Sequence, residues 1–134
     1  MYVKHEKNDE QFLHIMDEFC ADTVKMLKRE DVCPKSARWL GAYEIVDICQ
    51  KLHTAAHYAN NIKVTNSKEA EERHAAQTSA MAYIMTLGEK FTFCCGLYSI
   101  NVDKLNRWLK RKADAQSWLS AWQRSDDRRF QNVK

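Results

Sequence analysis

Turn-forming residues are nearly missing from this sequence, which has three glycines and one proline in 134 residues. A many-stranded sheet needs a turn signal every 8–12 residues or so, and a phosphate-cradling loop needs clustered glycine. Both are excluded. No window approaches the roughly 18 uncharged apolar residues of a membrane span. The polar opening MYVKHEKNDE does not resemble a signal peptide, so a cytoplasmic location is expected. The five cysteines (Cys20, Cys33, Cys49, Cys94, Cys95) are odd in number and scattered. That speaks against a disulfide framework and for reduced thiols, with Cys20, Cys49 and Cys94 expected in the core. There is no serine in an elbow context and no carboxylate pair in an apolar setting, so no enzymatic activity and no cofactor are expected.

What remains is helix. In the first segment Phe12, Met16, Phe19, Thr23 and Met26 recur at three- and four-residue steps, and the segment should stop before Pro34. The second repeats Ala42, Ile45, Cys49, Leu52, Ala56 and Ala59. Its roughly 30 residues make a rod of about 45 Å, a length that a bundle accommodates well. Asn66 followed by Glu69 reads as a capping box opening the third segment. That segment repeats Ala80, Ile84, Leu87, Phe91 and Cys94, with Gly88 at a close approach and Gly96 as its stop. Asn101 is a good N-cap for the fourth, whose apolar side carries Leu105, Trp108, Leu109, Ala115, Leu119 and Trp122. The fold class expected is therefore all-α, one antiparallel up-down-up-down four-helix bundle. Its helices fall at about 9–29, 35–64, 67–95 and 102–124, followed by a short charged, frayed tail over 125–134.

Metal-ligand spacings are sparse. Glu71 and His74 form a single Glu-x-x-His, and a di-iron bundle needs two copies. His53 and His57 stand four apart and could share a helix face, but no Cys or acidic residue follows one turn on. They are read as polar flanks of the Leu52/Ala56 stripe, and no metal site is expected. Cys94 and Cys95, adjacent on a helix, diverge by about 100° and cannot chelate together.

Charge is unevenly spread. Residues 101–134 hold nine Lys/Arg and four Asp, a balance of +5, whereas the whole chain is only +3. Lys104, Arg107, Lys110, Arg111 and Lys112 fall within nine residues, and Arg124, Arg128 and Arg129 follow. A basic face of this kind would neutralise several phosphates, giving salt-sensitive, sequence-tolerant binding to RNA or DNA. Trp108 and Trp122 belong to the packing stripe. Trp118 lies off it and, with Trp39, is a candidate protein contact. The surplus of large apolar side chains beside the stripes points to a homo-oligomer.

Placed on these helices, several short motifs form a pattern. Pro34-Lys35, Arg38-Trp39, Ala59-Asn60, Arg73 early in the third helix, and the closing stretch Trp118 to Ser125 resemble a small four-helix-bundle family. It includes the accessory variability determinant proteins of diversity-generating retroelements and the bundle proteins encoded by intervening sequences in 23S rRNA genes. The resemblance covers roughly residues 20–125. It implies a homopentameric barrel with a positive surface that binds nucleic acid and the element's reverse transcriptase, supporting error-prone cDNA synthesis from a template RNA. The intervening-sequence branch implies instead a structural or interaction bundle with no nucleic-acid role.

Overall fold

The computed structural model describes residues 7–29, 32–35, 41–98 and 101–134. They form four helices, α1 (Lys7–Leu27), α2 (Ala42–Asn61), α3 (Ser67–Tyr98) and α4 (Val102–Phe130), and no strand among the described residues. Each helix packs against two others, in the cycle α1–α2–α3–α4–α1, around one shared core. No helix is long and apolar enough to cross a membrane.

The heptad-like stripes are the core. Phe12, Met16, Phe19, Ile45, Leu52, Ala56, Ala80, Ile84, Leu87, Phe91, Trp108, Ala115, Leu119 and Trp122 are all buried. Each large one contributes on the order of 1.5–3 kcal/mol by leaving water. Aromatic contacts set the register between helices. Trp108 stacks on Phe91 at 4.1 Å and leans on Phe19 at 5.6 Å, while Trp122 meets Phe12 at 4.4 Å. The Trp108 indole N–H donates to the Thr23 hydroxyl at 2.9 Å, and that hydroxyl donates to the Phe19 carbonyl at 2.8 Å. The one polar atom of a buried tryptophan is thereby satisfied, and α4 is fixed in rotation against α1.

All five cysteines are buried, and none is in a disulfide. The Cys20 thiol donates to the Cys49 carbonyl at 3.6 Å. Its hydrogen bonding with Cys49, then burial, push that thiol well above its ordinary value. Cys95 is pushed up to about 11 by burial and by the neighbouring Cys94. Neither thiol is set up as a nucleophile.

Four boundaries differ from the sequence expectation, each for a local reason. First, α2 begins at Ala42; of the helical stretch expected before it, residues 36–40 lie outside the described residues. Gly41 has φ +138°, where side chains are strained, and a Cβ there would lie 2.8 Å from the Cys94 sulfur of α3. Second, α2 ends at Asn61 rather than at Val64. Ile62 turns extended and Val64 is buried beyond it. Third, α3 runs through Gly96 to Tyr98, with Gly96 exposed and helical rather than a left-handed stop. Cys94 and Cys95 are both buried on this last stretch, so packing carries the helix past the glycine.

The fourth difference is the largest. Helix α4 does not end near Arg124 in a frayed tail but continues to Phe130. Arg73 explains it. This side chain is only 1% exposed and donates from Nε and Nη2 to the Asp126 carboxylate at 2.6 and 3.3 Å. Nη1 donates to the carbonyls of Ala59 and Ile62 at 3.3 and 3.4 Å, adding donors at the end of α2, where the Ala59 carbonyl also accepts from the Ile62 N–H at 3.2 Å. Gln77 donates to Asp126 at 2.6 Å, and Arg129, one turn on, donates to it at 2.6 Å. The guanidinium of Arg73 lies over Trp122 and Phe130, and that of Arg129 over Phe130. A buried carboxylate with three cationic or amide partners holds the residues expected to fray.

The capping expectations hold. Asn66 accepts from the Glu69 N–H at 2.9 Å, and Glu69 reaches back to the N–H and hydroxyl of Thr65. Asn101 accepts from Asp103 and Lys104 at 2.8 and 3.4 Å.

Candidate nucleic-acid interface

The Trp108 anchor decides where the basic residues of α4 point. With Trp108 inward, Lys104, Arg107 and Arg111, at three- and four-residue steps around it, flank the α1–α4 seam. Together with Arg29 and Met26 from the end of α1 they line a cleft of about 330 Å³. Four cationic side chains thus surround one opening, and no carboxylate lines it among the described residues. Arg29 was not part of the sequence expectation. The signal for it is the Lys28-Arg29 pair just beyond the last residue of α1.

The next cleft along the seam, about 290 Å³, has the opposite character. It is lined by Ile15, Glu18, Phe19, Asp22, Asp114 and again Arg111. Arg111 sits at the boundary and donates to Asp22 at 2.7 Å across the two helices. Both side chains are substantially exposed, so this pair adds little stability, but it ties down one cation of the cleft. The seam therefore switches from basic to acidic at Arg111.

The remaining basic residues divide in two. Lys110, Arg124 and Arg128 are exposed on the outer face of α4. Steps of 14 and 18 residues place Arg124 and Arg128 nearly in line with Lys110 on a 3.6-residue helix. Lys112 and Arg129 point elsewhere. The stem of Lys112 lies where a Cβ on Gly88 would be, and its ammonium donates to Gln116 at 2.9 Å. Gly88 is thus the close approach expected of it. Arg129 is turned into the bundle end beside Asp126 and Phe130, with 10% of its side chain exposed. Of the eight basic residues expected to face nucleic acid, three line the basic cleft, three project outward, and two serve packing.

Trp118 is half-buried and rests against the core. Trp39 lies outside the described residues.

The structure also supplies what the histidine pair lacked in sequence. Asp17, on α1, presents its carboxylate to both rings. His53 Nδ1 is 2.7 Å from Oδ1, and His57 Nε2 is 3.0 Å from each carboxylate oxygen. The third ligand was sought along α2, and it comes from the neighbouring helix instead. Register between helices 36 to 40 residues apart is not visible in a linear spacing.

No family model, no curated protein and no solved structure matches this chain.

Proposed function

We propose that this protein is a non-enzymatic nucleic-acid-binding bundle, with RNA or DNA phosphates held at the cleft between the end of α1 and the start of α4. The observation that carries this reading is the cleft itself, with Arg29, Lys104, Arg107 and Arg111 around one opening and an aromatic floor at Trp108. Such a site recognises backbone charge and shape rather than base edges, so binding is sequence-tolerant. Lys110, Arg124 and Arg128 extend the positive surface along the outer face of α4.

In the role the family resemblance implies, the bundle is an accessory to a reverse transcriptase of a diversity-generating retroelement, steadying template RNA during error-prone cDNA synthesis in the cytoplasm. Residue pairs that run in opposite directions, such as Asp22 with Arg111 and Phe12 with Trp122, support the antiparallel up-down-up-down order of the family. A homo-oligomer, with five subunits as the family's number, is supported by large apolar side chains left exposed on the bundle. These are Tyr43, Tyr58, Met85, Phe93, Leu97 and Val102, each at least half exposed. In a ring the clefts repeat, and weak phosphate contacts add by multivalency.

A specific observation favours a second reading. Arg111, Lys112 and Arg129 all have partners within the chain, as a purely structural bundle of the intervening-sequence type would have them. Fluorescence anisotropy with a labelled mixed-sequence RNA at about 50 mM salt separates the two. Lys104→Glu with Arg107→Glu should weaken binding at least about tenfold, and Arg124→Glu with Arg128→Glu less so. Absence of binding at micromolar protein selects the structural bundle.

A further inference from the structure

We propose that Asp17, His53 and His57 form a binding site for one divalent transition-metal ion of the zinc class. Two imidazole nitrogens and a carboxylate would occupy three positions, and the fourth would be open to water. The site lies on the α1–α2 seam, whereas the basic cleft lies on the α1–α4 seam, and its existence does not depend on nucleic-acid binding.

Geometry is the first argument. Both rings aim a nitrogen at one carboxylate, His53 by Nδ1 and His57 by Nε2, at 2.7 to 3.0 Å. All three donor atoms lie within 4.8 Å of one another. A tetrahedral ion with ligand bonds of about 2.0–2.1 Å holds its donors about 3.3 Å apart. An ion could therefore replace the protons now shared between the rings and Asp17 with adjustments of an ångström or so. The rings face one another at a centroid distance of 4.2 Å, as two histidines one helical turn apart do when directed at a common point.

Rigidity is the second. Each ligand sits beside a fully buried neighbour: Asp17 follows Met16, His53 follows Leu52, and His57 follows Ala56. The backbone positions are held by the core, so the donors are preorganised on helices rather than on loops. The three side chains are themselves between about a third and a half exposed, which leaves the ion a path in and room for a water.

Donor chemistry selects the ion. Calcium and magnesium take oxygen donors in larger numbers, and copper(I) prefers sulfur. A mixed imidazole–carboxylate set suits divalent transition metals such as zinc, iron(II), copper(II) or nickel(II). The Cys20 thiol, three residues from Asp17 on α1, is buried and donates to the Cys49 carbonyl. Bound metal would clip α1 to α2 and raise the stability of the folded state by mass action.

The test uses the full chain, freed of metal by a chelator that is then dialysed away. Calorimetric titration with Zn²⁺ should give one ion per chain, and Zn²⁺ should raise the melting temperature. Asp17→Asn and His53→Gln should each weaken binding at least about tenfold and abolish that rise, while His14→Gln, on the exposed face of α1, leaves both unchanged. Cobalt(II) should give a visible spectrum without thiolate charge-transfer bands. No binding at about 100 μM free Zn²⁺ would overturn the proposal. So would a thiolate band, or affinity undiminished in both Asp17→Asn and His53→Gln. Circular dichroism confirms that each variant is folded, and His57→Gln is the substitute ligand variant if one is not.

Discussion

Helix α4 carries arginine near both ends and uses it in opposite ways. Toward its end Arg129 lies against the buried Asp126, which also holds Arg73 and Gln77. Near its start Arg107 is exposed, and its Nε reaches only the Asp103 carbonyl at 3.4 Å. The difference comes from the carboxylates, not the cations. Asp126 is 4% exposed and three residues before Arg129, so burial makes the pair structural. Asp103, four residues before Arg107, serves the first turn of the helix instead. A count of basic residues measures the sum of both uses. Only the placement of acidic partners separates the charge that builds the fold from the charge left for a ligand.

The strongest way to break this comparison is at the buried end. Asp126→Ala leaves two guanidinium groups without their carboxylate in a buried setting and should cost about 3–5 kcal/mol. Urea unfolding should show the midpoint falling with little change in slope. Adding Arg73→Met to Asp126→Leu should recover part of that loss, because an apolar pair does not need the charge, while Arg129 still lacks its carboxylate. RNA affinity of the folded fraction should stay as it was.

A smaller effect sharpens the other side. Asp22 holds Arg111 at the border between the basic and acidic clefts. Asp22→Asn removes the competing charge and should tighten RNA binding by a few-fold, with a steeper fall of affinity as salt rises, by roughly 0.7 in log–log slope on a single strand. Stability should move by less than about 1 kcal/mol, since the pair is exposed. An unchanged affinity would mean that Arg111 takes no part in binding.

The smallest effect lies at the start of α3. The Thr65 hydroxyl, and then the Thr65 N–H, hold the Glu69 carboxyl below its ordinary value of 4.5. A lowered value in the folded state means that the ionised form stabilises the fold above the unfolded value and that this contribution is lost as pH falls through the folded one. The gap in melting temperature between the wild type and Glu69→Gln should therefore be present at pH 7 and close as pH falls below the ordinary value of 4.5 and on through the lowered one. Glu69 is solvent-screened, so the gap is a small one.

Much of the fold was legible because helical stripes are local. Phe12, Met16 and Phe19, or Ile84, Leu87 and Phe91, declare an inward face by spacing alone, and all six are buried. Asn66, Asn101 and Gly88 were legible for the same reason. What spacing did not reveal depends on which helix turns face each other. Arg73 stands out in sequence only as an early arginine, yet its burial needs Asp126, 53 residues away, and the carbonyls of Ala59 and Ile62 at the end of α2. The start of α2 at Ala42 rests on Gly41, whose positive φ and closeness to Cys94 become visible only in the fold. At the candidate interface, sequence placed Lys104, Arg107 and Arg111 in one patch and the structure adds Arg29. It did not separate them from Lys112 and Arg129, whose partners Gly88, Gln116 and Asp126 are a matter of packing.

If the start of α4 binds phosphate, as proposed, while its end holds the bundle together, charge changes at Arg107 and Arg129 must have separate effects. Each variant is measured for RNA affinity and for melting temperature under one buffer condition. Arg107→Glu should lose most of its RNA affinity with its melting temperature unchanged. Arg129→Gln should melt roughly 5–10 °C lower while binding RNA as the wild type does when folded. Full RNA affinity in Arg107→Glu, or a loss of affinity in Arg129→Gln equal to that in Arg107→Glu, would contradict the division.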